Sequence, residues 1–149
     1  MNTETGLWGN LPLDEVVRTP LIILREQATI LTKATSGLLT GEVSMISVQE
    51  YDVFNNLVER TASNPPVFRA TLSIEAPALD GYVFHVLQAE FSLVAYPVEV
   101  QDLLGKSKYE CNDEEEFNKT LGAVLSSAGV RRAIGLLLAQ SRSEQREAA

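Results

Sequence analysis

From residue 67 to residue 76 the chain alternates without a break. Phe68, Ala70, Leu72, Ile74 and Ala76 hold one parity, while Arg69, Thr71, Ser73 and Glu75 hold the other. Period-two alternation marks a strand with one buried and one solvated face, as antiparallel sheets have. A second extended run, 82–100, sets Leu87, Ala89, Phe91, Leu93 and Ala95 against Gln88, Glu90 and Ser92. Pro77-Ala78-Leu79-Asp80-Gly81 lies between the runs and supplies a turn, with Asp-Gly its strongest signal. The two runs are expected to pair as a long hairpin. Phe68, Leu72, Ile74, Leu87, Phe91 and Leu93 would share its buried face. Pro97 makes the end of the second run an edge, a bulge or a bend.

Before the hairpin the apolar period is helical. Thr19 is placed to cap a helix and Pro20 to occupy its first position. Leu21, Leu24, Ala28, Leu31 and Leu38 form one face, widened by Ile23, Ile30 and Ala34. Arg25, Glu26, Thr29, Thr32 and Lys33 lie opposite, and Gly37 is a natural stop. Residues 42–48 hold Val43, Met45, Ile46 and Val48 and read as a first strand. Residues 51–61 fit a strand or a short helix, and Ser63-Asn64-Pro65-Pro66 forces a turn.

Residues 101–109 read as a loop. The acids of Asp113-Glu114-Glu115-Glu116 then suit a helix start, with Asp113 and Glu116 at capping-box spacing. Phe117, Leu121, Val124 and Leu125 give that helix its apolar face. After an interruption at 126–129, Val130, Ile134, Leu137, Leu138 and Ser141 mark a second, short helix. The expected architecture is α+β: an antiparallel β-sheet built around a long hairpin, packed against an N-terminal amphipathic helix and two C-terminal helices. It forms one domain over 1–149. Residues 1–18 read as an arm packed on the body and anchored by Trp8, and residues 142–149 as a frayed polar tail.

Length and composition agree with one folded domain: 149 residues, 45% hydrophobic and 21% charged. Charge narrows the partners. Twelve Lys and Arg against twenty Asp and Glu leave a net charge of −8, which repels phosphate backbones and anionic lipid, so neither nucleic acid nor membrane is expected. Another protein, a basic one, is the partner this surface favours. The apolar runs are too short to span a bilayer, and no basic segment followed by an apolar core opens the chain, so a cytoplasmic location is expected.

Candidate chemistry is sparse. A single cysteine, Cys111, excludes zinc patterns built on Cys pairs, and a single histidine, His85, excludes two-histidine metal centres. No metal or cofactor is expected, and no catalytic residue is assigned. His85 shares parity with Leu87 and Phe91 and is expected on the apolar face near the turn. Two functional classes follow. The first is a non-enzymatic, acidic protein-interaction domain that also forms a homodimer through a sheet edge or a helix face. The alternative is a small-molecule-binding or enzymatic cavity protein, with His85, Tyr82, Phe84 and Tyr96 lining a pocket.

Overall fold

The computed structural model describes residues 6–14, 17–48 and 67–148. Helix α1, Pro20–Ala34, begins where its capping residues place it, with Thr19 Oγ1 accepting from the Ile22 amide at 3.2 Å. It closes in a Schellman motif. Ser36 takes the left-handed conformation (φ 52°), its amide reaching the Lys33 carbonyl and that of Gly37 the Thr32 carbonyl. Ile23, Leu24 and Ala28 are buried, whereas Ile30 is exposed, so the apolar stripe is narrower than its sequence pattern.

Five strands follow: β1 Thr40–Val48, β2 Val67–Ala76, β3 Tyr82–Ser92, β4 Val98–Asp102 and β5 Lys108–Cys111. They form one antiparallel sheet in the order β1-β2-β3-β4-β5. Helices α2, Glu114–Leu125, and α3, Ala128–Ala148, complete the chain. The fold is therefore α+β, with the β2–β3 hairpin at its centre. All three helices lie on one face of the sheet. Between them and it sit Ala70, Leu72, Ile74, Val86, Leu87, Ala89, Val98, Val100 and Phe117. Residues 51–61 and 63–66, expected to form an ambiguous element and a turn, lie outside the described residues.

Several expectations are corrected. The run 82–100 is not one strand but two. It breaks at 93–97, where Ala95 has a positive φ and the Tyr96–Pro97 peptide is cis, and Leu93 is 79% exposed instead of buried. The loop expected at 101–109 contains the end of β4 and the start of β5. Asp102 organises the turn between them: its carboxylate accepts from the Leu104 and Gly105 amides. The short last helix and frayed tail are one 21-residue helix. In the arm, the described residues 6–14 are all exposed, and Trp8 is 81% exposed instead of packed.

The acidic helix start forms as its spacing suggests. Asp113 accepts from the Glu116 amide at 2.8 Å, and the Glu116 carboxylate accepts from the Asn112 amide at 2.6 Å. Arg18, just before α1, bridges Glu26 on α1 and Glu114 on α2, tying the two helix starts together.

Candidate functional site

A bulge in β3 decides where the candidate side chains point. Leu72 faces Leu87 but Ser73 faces His85, so Val86 is an extra residue with no counterpart on β2. Val86 and Leu87 are consecutive and both buried. The inserted residue reverses parity towards the turn, so Phe84 and Val86 lie on the helix-covered face and His85 on the open one. The expected place of His85 on the apolar face is thereby corrected. The bulged Val86 carbonyl does not go unpaired, since it accepts from the Leu103 amide at 3.1 Å.

On the open face several polar side chains pair. His85 Nδ1 is 2.8 Å from Ser73 Oγ, and Arg69 pairs with Glu90 at 2.7 Å. Lys108 lies 3.6 Å from Glu99. Glu42 stands opposite Ser73 on β1. The row Glu42, Ser73, His85 has the hydroxyl in the middle. A serine nucleophile needs its base between the hydroxyl and the acid, so this row is not a catalytic triad. Cys111 lies on the covered face, buried, with Sγ donating to Thr120 Oγ1 at 3.3 Å; His85 is across the sheet from it. Among the described residues no three His, Cys, Asp or Glu side chains converge as metal ligands.

The four residues proposed for a pocket do not meet in one place. Tyr82 and Phe84 line a cleft of about 430 Å³ with Leu79 and, from α3, Leu136, Leu137 and Gln140. Tyr96 packs edge-on against Phe117, with ring centroids 6.4 Å apart, and its hydroxyl is buried without a hydrogen-bond partner. Burial, then the nearby Glu114 and Asp113 charges, pushes the Tyr96 pKa above the ordinary phenol value.

A second cleft, of about 220 Å³, runs between α1 and α3. Ile30, Leu31 and Ala34 form one wall and Val130 with Ile134 the other, over a floor of Leu72, Ile74 and Val86. Its one polar lining residue is Gln27. Sequence reading assigned Ile30 and Ala34 to a covered helix face and missed the gap beside them. Helical periodicity records how wide an apolar stripe is, but not how far away the next helix lies.

Comparison with family models, with curated proteins and with solved structures finds no significant match to this chain.

Proposed function

We propose that this chain is a non-enzymatic protein-interaction domain that acts in the cytoplasm and takes apolar side chains of a basic protein segment between α1 and α3. The α1–α3 cleft carries this reading. It is a hydrocarbon slot flanked by two helices and floored by a sheet, the shape used to hold an amphipathic segment. Its volume falls below the roughly 300–1,000 Å³ usual for small-molecule pockets, and it offers almost no polar group to orient a small ligand. The net charge of −8 would speed encounter with a cationic partner. We also read the chain as a homodimer.

The test is a titration of the ¹⁵N-labelled protein with an amphipathic Leu/Lys peptide. Saturable shifts at the amides of Ile30, Ala34, Val130 and Ile134, abolished by Ile134→Asp, are expected. Absence of shifts at these positions at millimolar peptide would overturn the reading.

The cleft beside Tyr82 and Phe84 favours a second reading, a small-molecule site. Its volume falls within the usual range, and Tyr82 and Gln140 supply polar groups among apolar walls. Shifts confined to Tyr82, Phe84 and Leu136 on adding an uncharged aromatic such as naphthol would support it over the first.

A further inference from the structure

The two edges of the sheet are built differently. β5 is four residues long and carries Lys108 and Glu110, the short, charged form that discourages pairing. β1 is nine residues long, with Glu42 its single charge and no proline. Met45 and Ile46, on opposite faces of β1, are 41% and 57% exposed. Among the described residues β1 pairs with β2 alone. Its outer side has a defined polarity as well. The Gly41 amide donates to Thr32 Oγ1 at 2.9 Å instead of to β2. Peptide groups alternate along a strand, so Val43, Met45 and Ser47 turn their amides and carbonyls outward too.

We propose that β1 is a self-association edge: two copies pair β1 with β1, antiparallel, about a two-fold axis through Ser44. The proposal rests on the reading of the chain as a homodimer and names its contact. Outward groups sit on odd-numbered residues, so hydrogen-bonded partners must both be odd. An axis at Ser44 meets that rule by pairing Val43 with Met45 of the second copy and by setting Ser47 opposite Gly41, whose carbonyl accepts the Ser47 amide while its own amide stays with Thr32. It is also centred on the strand, because Ser44 is the midpoint of Thr40–Val48. Val43 then meets Met45 on the helix-covered side and Glu42 meets Ile46 on the open side. The two Glu42 carboxylates are set apart by four residues, about 14 Å along the strand. Moving the axis to Val43 would halve that spacing and shorten the overlap. The result is one sheet continuous across both copies.

At the axis Ser44 faces its own copy in a non-hydrogen-bonded pair, with Cα atoms about 4.5 Å apart, close enough for a disulfide. The native Cys111 is buried and does not compete. Ser44→Cys is therefore expected to cross-link into a covalent dimer under mild oxidation. Glu42→Cys alone should not cross-link, but should do so when mixed with Ile46→Cys. Met45→Lys, at an exposed position, should weaken the dimer about tenfold or more in sedimentation equilibrium, whereas Tyr109→Lys on β5 should leave it unchanged. A monomer at tens of micromolar would overturn both self-association and this contact. A dimer that Ser44→Cys fails to cross-link and Met45→Lys leaves intact would overturn the β1 contact while leaving self-association standing.

Discussion

Gly41 lies directly beneath Ala28: a Cβ on Gly41 would stand 2.6 Å from the Ala28 Cα. Helix α1 can rest on β1 at this distance only because nothing projects from the strand there. Thr32, one turn along, fixes the approach by donating its hydroxyl to the Ala28 carbonyl and accepting the Gly41 amide. Gly41→Ala is expected to cost about 1–3 kcal/mol through overpacking, since backbone and not a pliable side chain is in the way. Urea melts of the two proteins measure it, and a loss within about 0.5 kcal/mol would contradict the contact.

Phe117 is wholly buried and Leu93 largely exposed, although both sit in apolar sequence patterns. Phe117→Ala should destabilise by about 3–5 kcal/mol, removing a large side chain from between α2 and the sheet together with its edge contact to Tyr96. Leu93→Ala should change stability by less than about 0.5 kcal/mol. Equal losses for the two would contradict the break in the strand after Ser92.

Ser141 is fully buried, and its hydroxyl has no hydrogen-bond partner. Removing an unsatisfied buried hydroxyl recovers its desolvation cost, and alanine is also the better helix former. Ser141→Ala is expected to stabilise by about 1–2 kcal/mol. This should appear as a higher urea midpoint at unchanged slope, and a destabilised Ser141→Ala protein would refute the assignment.

Glu42 and Glu75 are diagonal neighbours on the open face of β1 and β2. A hydrogen bond with Glu75, then slight desolvation and the Glu75 charge, hold the Glu42 pKa above its ordinary value. The folded protein therefore binds that proton more tightly than the unfolded chain. The pair adds stability as pH falls through the raised value, and its repulsion is felt in full above it. Glu42→Gln should raise the melting temperature at neutral pH, with the advantage shrinking as pH drops into the carboxylate range. A difference independent of pH would sink this account.

The elements legible in the sequence are those set by neighbours in the chain. Thr19, Pro20 and Gly37 frame α1, Asp113 with Glu116 starts α2, and the alternation of 67–76 gives β2 its correct buried face. What was missed depends on distant contacts. The bulge at Val86 inverts His85 through pairing with β2, and nothing local to His85 announces it. The β4–β5 turn did leave a local signal, Asp102 three residues before Gly105, which the lysines around it concealed. The residues proposed as one pocket were legible only in part: Tyr82 and Phe84 share a cleft because they stand two residues apart on β3 and point the same way, while Tyr96 follows the chain across to α2.

Strand order in this sheet is chain order, and that has a consequence for how the sheet opens. Among the described residues, each inner strand is held on both sides by its neighbours in sequence, while β1 and β5 each have a single strand neighbour. Loosening can therefore enter from either margin without disturbing the middle, and the sheet opens inwards like a fan. Amide protons of β2 and β3 should exchange with solvent last, and those of β5, the shorter margin, first. Pairing two copies at β1 would move the slow-exchanging region towards that margin, so the same measurement reads the free chain and the joined sheet differently.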